Sequence, residues 1–255
     1  MKPSDLKPSG VKPSGVKSLP VFDPRSVPVQ RVDGHLPKLP ASQLQAASIK
    51  ALFRSPKAWT PEFQAEPRFT DKPMAPAAVL LGLVQRASGL HVLLTERSHR
   101  LKSHAGQISF PGGKVDTGDT DRIATALRET EEEVGLTADW IDVLGCLPHY
   151  TTGSAFVVTP VLALIAPGFS LRPNAQEVAS VFEVPLPFLM DPANHRHHAV
   201  VVDGVARHWL SMPYREHADG TEYFIWGATA GMLRNLYQFL RDAGGSPAME
   251  GRSQK

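Results

Sequence analysis

The sequence predicts an α/β fold, in which strands and helices are mixed along a single domain. Short apolar runs bounded by Gly or Pro predict buried strands, and three segments with apolar residues at helical spacing predict helices. The chain has 255 residues, of which 42% are hydrophobic and 20% are charged. This composition is typical of globular proteins, and the length is ample to bury a core.

Both ends of the chain are predicted to lie outside this domain. Lys-Pro-Ser begins at Lys2, Lys7 and Lys12, and this repeat contains almost nothing apolar. We therefore expect residues 1–40 to form a disordered tail, which is better explained as a solvated linker than as a contact for an acidic partner. Residues 246–255 are expected to form a second flexible tail, so the domain covers residues 41–245.

In the first half of the domain, the sequence predicts one helix followed by two strands. Apolar residues at partial helical spacing predict a helix over residues 42–54, which a proline then ends. Residues 77–85 are apolar and predict a buried strand. A turn at residues 87–89 leads into a second predicted strand, residues 90–95.

The second half of the domain is predicted to be mainly strands. These strands are expected at residues 141–147, 157–165, 178–184, 199–202 and 205–210. Asp203-Gly204 lies between the last two and is a strong signal for a two-residue hairpin. The last element is a helix over residues 228–242, which has one apolar stripe and is ended by Gly244-Gly245.

Charge and cysteine content argue against several classes of protein. The formal net charge is only +2, so the chain has no strong field that would favour nucleic acid or a membrane surface. No apolar run reaches the roughly 18 residues of a membrane-spanning helix. Cys146 is the single cysteine, so no intramolecular disulfide is possible, and we expect it to be a small buried side chain. The sequence thus predicts a cytoplasmic protein, and it leaves a homodimer open.

The most informative segment runs from Gly106 to Leu136. Phe110-Pro111-Gly112-Gly113 ends a short strand in a glycine turn, where backbone amides can approach a ligand closely. An acidic loop, residues 116–121, follows and offers caps for a helix. The helix places Ile123, Leu127, Thr130 and Val134 at core-facing spacing, and Gly135 is a good C-terminal stop.

Three acids near the end of this helix indicate a cation site. Glu129, Glu132 and Glu133 lie at i, i+3 and i+4, so their carboxylates share a face and repel one another. They also oppose the helix dipole, which favours cations in the last turn. A bound divalent cation relieves both costs, and carboxylate oxygens suit Mg²⁺ or Mn²⁺. From the helix alone, a solvated acidic face with Arg128 as local partner explains the pattern equally well.

The whole segment closely resembles the Nudix box. Gly113 and the run from Arg128 to Leu136 match the family pattern, except that Thr130 replaces an aliphatic residue. Asp119 stands near the place of a family glutamate, with one extra residue before Arg128, so loop structure is as good an explanation for it as metal contact. The resemblance implies a Nudix-type α/β/α sandwich with a mixed β-sheet. It also implies metal at Glu129, Glu132 and Glu133, with Arg128 orienting these carboxylates.

A second resemblance narrows the expected substrate. Leu93 to Ser98, followed by Lys102, Gly106 and the glycine turn, is similar to the motif of coenzyme A pyrophosphatases, with Lys102 where that family has arginine. This implies metal-dependent hydrolysis of coenzyme A to 4′-phosphopantetheine and adenosine 3′,5′-bisphosphate. The expected substrate-binding residues are Arg97, Arg100, Lys102, His104, Gly112 and Gly113. The alternatives are another Nudix substrate (ADP-ribose, a nucleotide sugar or a dinucleoside polyphosphate) and a non-catalytic nucleotide-binding regulator, against which the intact box acids count.

The general base is not identified by the sequence. A box glutamate or an acid from a distant loop can fill the role, and Glu177 is our candidate for the second case because it precedes a predicted strand. Its alternative is an ordinary exposed loop acid. His195, His197 and His198 favour a solvated loop over a metal site because no suitable ligand is spaced near them. Trp226 is expected to pack in the core rather than to stack on a ligand.

Overall fold

A computed structural model describes residues 23–101, 104–202, 204–217 and 220–243. The helices are α1 (Ala46–Arg54), α2 (Arg122–Val134), α3 (Leu186–Leu189) and α4 (Gly227–Ala243). The strands are β1 (Arg31–Val32), β2 (Ala75–Arg86), β3 (Gly89–Arg97), β4 (Ile108–Ser109), β5 (Gly112–Lys114), β6 (Ile141–Cys146), β7 (Tyr150–Thr151), β8 (Phe156–Ile165), β9 (Val178–Pro185), β10 (Arg196–Val202), β11 (Val205–Tyr214) and β12 (Tyr223–Trp226).

These strands form two sheets. The large sheet has the order β4-β3-β2-β8-β6, and β5, β7 and β9 pair with β2, β8 and β3 respectively. It is mixed, because β2 and β8 are parallel while its other pairs are antiparallel. The small sheet is antiparallel with the order β1-β10-β11-β12, and the predicted hairpin joins β10 to β11.

Helices cover both faces of the large sheet. On one face, α2 buries Ala126 and Val134 in a cluster with Leu80 and Val161 of the central strands. On the other face, residues of α1 and α4 belong to a larger apolar cluster that also contains Leu83. The central strands are apolar on both sides because both faces are covered. The predicted α/β/α sandwich with a mixed sheet is therefore confirmed. Among the described residues, none of the helices combines the length and the apolar content needed to cross a lipid bilayer.

The box helix begins and ends where the sequence predicts. The Asp121 side chain accepts a hydrogen bond from the backbone N–H of Ala124 at 2.8 Å, so it is the N-cap. Gly135 ends α2 in a left-handed conformation with φ 69°. Cys146 is exposed near the end of β6, so the expectation that it is buried is wrong.

The predicted tail boundary at residue 40 is wrong for residues 23–40. Residues 31–32 form β1, which pairs with β10, and Asp33 is only 1% exposed. Asp33 accepts from His197 at 2.6 Å and lies 2.9 Å from the Arg234 guanidinium of α4. Burial raises the pKa of Asp33, but the hydrogen bond from His197 and the charge of Arg234 outweigh it, so the pKa is lowered. This segment is therefore part of the folded domain, whereas residues 1–22 and 244–255 lie outside the described residues.

The three histidines do not lie on a solvated loop. His195 is fully buried, and His198 is 4% exposed. His195 Nε2 donates to the carbonyl oxygen of Leu189 at 2.8 Å, and its Nδ1 accepts from Arg234 at 2.9 Å. The sequence expectation failed because Arg234, which pairs with His195, lies 39 residues further along the chain.

Because His195 is buried, we expect the protein to lose stability in acid. Burial lowers the pKa of His195 to about 4, so the folded protein keeps a neutral ring, whereas the unfolded chain takes up a proton below about pH 6.5. The contribution of neutral His195 to stability is therefore fully present above pH 6.5. It is lost as the pH drops toward 4, by up to about 3 kcal/mol. Urea unfolding of the wild type and of His195→Gln between pH 7.5 and 4.5 measures this effect. The difference between the two free energies should shrink in acid, and a constant difference would contradict the assignment.

Candidate active site

A cleft of about 1580 Å³ brings the two sequence motifs together. Its lining comes from the ends of β3 and β4, the start of β5, α2, the segment around residues 66–73, and strands β11 and β12 of the small sheet. The glycine turn, two of the three box glutamates and Glu177 all line it. The Thr229 hydroxyl at the start of α4 donates to the carbonyl oxygen of Ile108 at 2.9 Å, which ties the small-sheet side of the cleft to β4.

The glycine turn holds one glutamate directly. Gly112 has a φ of 151°, and a Cβ there would lie 2.4 Å from the carbonyl oxygen of Ala78, so only glycine fits this position. Its backbone N–H donates to Oε2 of Glu133 at 3.1 Å. The glycine turn thus fixes the Glu133 carboxylate, which belongs to α2, near the end of strand β4.

Glu133 is a buried carboxylate with a strongly perturbed pKa. It is 3% exposed, and burial raises its pKa to about 7. The Gly112 N–H and the Arg97 guanidinium, whose Nη1 is 3.5 Å from Oε1, act in the opposite direction, while Glu129 and Glu177 raise the pKa further. A cation beside Glu133, in addition to Arg97, would stabilise the ionised carboxylate of Glu133.

Glu129 lies beside Glu133 and is packed against Gly113. A Cβ at Gly113 would lie 2.4 Å from the carboxylate carbon of Glu129, so the absence of a side chain makes room for this group. Burial raises the pKa of Glu129, and the charges of Glu132 and Glu177 add to this, although Arg128 opposes it. The two carboxylates therefore meet in the cleft at the cost of mutual repulsion.

Arg128 binds three acids at once. Its Nη1 donates to Glu129 at 3.1 Å and to Glu132 at 3.2 Å, while Nε and Nη2 bind Asp119 at 2.8 and 2.9 Å. This fork lowers the pKa of Asp119, which also accepts from the Thr125 hydroxyl. Asp119 thus closes the acidic loop onto the helix, in keeping with a loop-structural role.

Glu132 lies outside the cleft lining, although Arg128 links it to Glu129. Its side chain is 57% exposed, is bound by Arg128, and does not line the cleft. Glu177 lies on the cleft side instead, close enough that its charge raises the pKa values of Glu129 and Glu133. The structure therefore gathers Glu129, Glu133 and Glu177, rather than the three box acids, around the cleft.

The loop that carries Glu177 is attached to both motifs. The backbone N–H of Asn174 donates to the carbonyl oxygen of Glu133 at 2.9 Å, and the N–H of Ser98 donates to that of Glu177 at 2.8 Å. The Asn174 side-chain amide lies 3.5 Å from Oε1 of Glu177. Glu177 lies more than 40 positions after the box helix in the sequence, and these contacts bring it to the same cleft.

The donor set fits a hard divalent cation, although the grouping is loose. Within the described ranges, no three His, Cys, Asp or Glu side chains are close enough together to form a ready metal site. The acids that line the cleft near the glycine turn nevertheless offer only carboxylate oxygens, which Mg²⁺ and Mn²⁺ prefer. Burial raises the pKa values of Glu129 and Glu133, and a cation beside them would favour their ionised forms.

The predicted substrate-binding residues have different outcomes. Arg97, His104, Gly112 and Gly113 line the cleft. Arg100 is exposed and is not part of the lining, and Lys102 lies outside the described residues. His104 has a left-handed backbone with φ 60°, and its Nδ1 is 2.8 Å from the side-chain oxygen of Gln107.

Sequence reasoning missed several residues of the cleft. Glu96 and Lys114 stand next to predicted site residues, so their place in the motifs was an available signal. The aromatic residues of β11 and β12 also line the cleft, and Trp226 among them was expected to pack in the core. No local pattern distinguishes an aromatic side chain that lines a cleft from one that packs in a core.

Gly113→Ala tests the packing of glycine against Glu129. The added methyl group should displace the Glu129 carboxylate but leave the fold intact, because the atoms it meets are at the end of a flexible side chain. We expect kcat to fall by about 10-fold to 100-fold, since small misplacements of a catalytic group are costly. Gly118→Ala is the matched control, because no heavy atom lies within 4 Å of the position of its Cβ. Equal activity of the two variants would contradict the role of this contact.

Comparison with known proteins agrees with this geometry. The NUDIX domain family model matches residues 74–203. An uncharacterized Nudix hydrolase NudL of Citrobacter koseri is 44% identical over 162 residues, which cover 63% of this chain and 80% of that protein. The protein of the same name from Escherichia coli K12 is 42% identical over the same shares of each chain.

The solved structures that resemble this chain are less similar to it in sequence than the NudL proteins are. The binary complex of the Ap4A hydrolase of C. elegans has 24% identity and a TM-score of 0.39, and the match covers 47% of this chain and 86% of that one. The NUDIX domain of Shewanella oneidensis NrtR complexed with ADP ribose has 22% identity and a TM-score of 0.36, with coverage of 45% and 75%. We draw no conclusion about the substrate from similarity at this level.

The mixed sheet and the box helix agree with the NUDIX domain match, and the Nudix hydrolase relatives support a pyrophosphohydrolase enzyme. The chain belongs to the Nudix family, since the family model matches residues 74–203 and the Citrobacter koseri NudL protein is 44% identical over 80% of its length. It is a Nudix hydrolase of nucleoside-diphosphate compounds, and hydrolases of this family generally use divalent ions such as Mg²⁺ or Mn²⁺.

Proposed function

We propose that this Nudix hydrolase cleaves the pyrophosphate of coenzyme A or its derivatives, with 4′-phosphopantetheine and adenosine 3′,5′-bisphosphate as products. The observation that carries the proposal is the contact between Arg97 and Glu133, at 3.5 Å. Arg97 belongs to the segment that resembles the coenzyme A pyrophosphatase motif, and Glu133 belongs to the box. Their contact in one cleft supports a joint role for the two motifs.

The residues present fit a bound divalent cation. Glu129 and Glu133 would hold Mg²⁺ or Mn²⁺, with Glu177 beside them on the cleft and Glu132 on the outer side of the helix. When bound, such an ion neutralises phosphate oxygens and acidifies a water molecule. The buried position of Glu133 makes this carboxylate the one that gains most from the ion, because burial is the main cause of its raised pKa.

The chain's own groups supply orientation and proton transfer. The Gly112 N–H holds Glu133 in one orientation, and Arg97 places a positive charge beside it for a phosphate oxygen. Arg128 orients Glu129 and Glu132 through hydrogen bonds from one guanidinium nitrogen. The proton of the attacking water would pass to a cleft carboxylate, for which we propose Glu177 or Glu133.

The cleft also offers room for a large substrate. Its volume of about 1580 Å³ exceeds the roughly 300–1,000 Å³ of typical ligand sites. Gly112 and Gly113 line the cleft beside the carboxylates, and Arg97 and His104 lie nearby on the same cleft. Lys102 remains a proposed phosphate contact, whereas the exposed position of Arg100 makes it the weakest candidate of the group.

A product-release screen tests the substrate directly. The purified full-length protein would be incubated with Mg²⁺ or Mn²⁺ and equal concentrations of coenzyme A, dephospho-coenzyme A, ADP-ribose, UDP-glucose and diadenosine tetraphosphate. We expect the highest kcat/KM with coenzyme A. A clear preference for any of the other compounds would replace this proposal by another Nudix substrate. Tight nucleotide binding with no metal-dependent turnover of any compound would favour a non-catalytic regulator.

A further inference from the structure

The segment between α1 and β2 forms one wall of the cleft. Residues 62–73, all of which the structure describes, contain no helix or strand beyond an isolated bridge at Ala65. We call this segment the N-terminal wall, and its cleft-lining residues are Glu66, Pro67, Phe69, Thr70, Lys72 and Pro73. The match to the NUDIX domain model begins only at residue 74. This side of the cleft is therefore built by a part of the chain that the family match does not include.

The start of the N-terminal wall is attached to α4. The Asn235 side chain donates to the carbonyl oxygen of Phe63 at 2.6 Å, and its oxygen accepts from the Phe63 N–H at 3.0 Å. One residue earlier, Glu62 pairs with Nε of Arg234 at 2.7 Å. An amide that pairs with both backbone groups of one residue fixes that residue in place, so the wall starts from a defined point on α4.

Backbone hydrogen bonds attach the middle of the N-terminal wall to β7 and to the loop that follows it. The Glu66 N–H donates to the carbonyl oxygen of Thr151 at 2.9 Å, and the Phe69 N–H donates to that of Gly153 at 3.1 Å. A Cβ at Gly153 would lie 2.5 Å from Cε1 of Phe69, so the loop and the wall are closely packed. The same loop lines the cleft through Ser154. Wall and loop therefore form one continuous side of the cleft.

The Glu66 side chain reinforces this contact from within the cleft lining. Its Oε2 accepts from the Gly153 N–H at 2.9 Å, and its Oε1 accepts from the Tyr150 hydroxyl at 3.1 Å. Tyr150 is 3% exposed and packs on α4, where a Cβ at Gly231 would lie 2.9 Å from the Tyr150 hydroxyl oxygen. Glu66 thus joins the N-terminal wall to the loop and, through Tyr150, to α4.

Glu66 belongs to a different group of charges from the carboxylates on α2. Burial raises the pKa of Glu66, while the hydrogen bonds that it accepts and the charges of His104 and Arg207 oppose this shift. The pKa of Glu133 is also raised by burial, but its neighbour Glu129 raises it further. Both oxygens of Glu66 are bound within the protein, which suits a residue that holds other parts of the cleft in place.

We propose that Glu66 is a positioning residue for substrate binding, which holds the N-terminal wall against a part of the substrate that does not react. The wall carries none of the proposed metal-binding acids, so its contacts with substrate are equal before and during the chemical step. Such contacts increase affinity without changing the rate of that step. Loosening the wall should therefore raise KM and leave kcat nearly unchanged. The inference rests on the hydrolase activity of the proposed function, but not on coenzyme A as the substrate.

Steady-state kinetics of the full-length protein test this role, with Mg²⁺ and the compound that the wild type cleaves best in the product-release screen. Glu66→Ala removes two hydrogen bonds, so we expect KM to rise by about 10-fold and kcat to stay within about twofold of the wild type. Gln64→Ala is the matched control, because Gln64 has an exposed side chain on the same wall outside the cleft lining. It should leave both constants unchanged.

The separation of KM from kcat distinguishes positioning from a loss of stability. A variant that only unfolded in part would contain less active enzyme, so its apparent kcat would fall while its KM stayed the same. Glu66→Gln should keep KM within about threefold of the wild type, because the amide can accept from the Gly153 N–H and donate to the Tyr150 hydroxyl. This rescue shows whether the hydrogen bonds or the negative charge of Glu66 are required.

Tyr150→Phe tests the same contact from outside the cleft lining. It removes one of the two hydrogen bonds of the Glu66 carboxylate, so we expect KM to rise by about threefold with kcat unchanged. Because Tyr150 does not line the cleft, such an effect on KM must act through Glu66 and the wall. This variant also decides the question if Glu66→Ala does not fold, since an unchanged KM would then reject the positioning role.

The outcomes separate this inference from the proposed function. An unchanged KM in folded Glu66→Ala, or a KM in Glu66→Gln that rises as far as in Glu66→Ala, would overturn the positioning role. Best turnover with a compound other than coenzyme A, together with the expected KM pattern, would support the positioning role and reject the proposed substrate. A preference for coenzyme A that is accompanied by unchanged KM values in these variants would do the reverse.

Discussion

Glu133→Gln is expected to lower kcat by about 10²-fold to 10⁴-fold without loss of the fold, which is the range for removal of a group that acts in proton transfer. The amide can still accept the hydrogen bond from Gly112, which keeps the local packing. It cannot carry a negative charge, so it weakens the proposed metal site and cannot accept a proton. The kcat with the preferred substrate, together with circular dichroism and thermal unfolding, measures both parts of this expectation.

Glu131→Gln is the matched control for this variant. Glu131 lies on the same helix and is exposed, and it is not part of the cleft lining. It makes the same chemical change two residues away, so its kcat should stay within about twofold of the wild type, as expected for a surface substitution. If Glu133→Gln and Glu131→Gln had similar kcat values, the proposed mechanism would be rejected, because the buried glutamate would then have no special role.

Asp33→Ala is expected to have the largest effect on stability, a loss of about 3–5 kcal/mol in the free energy of unfolding. The variant removes the carboxylate that faces His197 and the buried guanidinium of Arg234. Arg234 then keeps only Glu62, at 2.7 Å, as an acidic partner within the described residues. A buried charge that loses a partner is costly because water cannot replace the lost contact. Urea unfolding at pH 7.5 gives the free energy.

Asp142→Ala serves as the control for Asp33→Ala. Asp142 also pairs with a cation, Lys50, at 2.5 Å, but its side chain is 55% exposed. Exposed ion pairs contribute little, so we expect a loss below about 1 kcal/mol. Asp33→Ala and Asp142→Ala could instead lower the free energy of unfolding by the same small amount. The ion pairs of Asp33 would then not be what attaches the N-terminal segment to the small sheet and α4.

This attachment also has a consequence for the cleft. Asp23, Pro24 and Arg25 line the cleft, and they precede the segment that Asp33 anchors. Loss of Asp33 should therefore disturb this edge of the cleft as well as overall stability. The segment that sequence composition assigned to a tail thus contributes both to the core and to the lining of the cleft.

The sequence alone determined the local elements and the chemistry of the box. The box helix, its Asp121 cap and its Gly135 stop follow from neighbouring residues, so periodicity and capping rules predict them. The mixed α/β architecture also followed, because buried strands and amphipathic helices have characteristic patterns over short windows. The three box acids could be named for the same reason, since they lie within five consecutive residues.

Only the tertiary structure decided which of these acids meet and what surrounds them. Glu132 and Glu133 are adjacent in sequence, yet Arg128 holds one on the exposed side while the glycine turn holds the other in the cleft. Asp33 and His195 are buried because residues far along the chain pair with them. Periodicity describes contacts within one element, whereas burial and partnership depend on which elements pack together, and that is settled only when the whole chain folds.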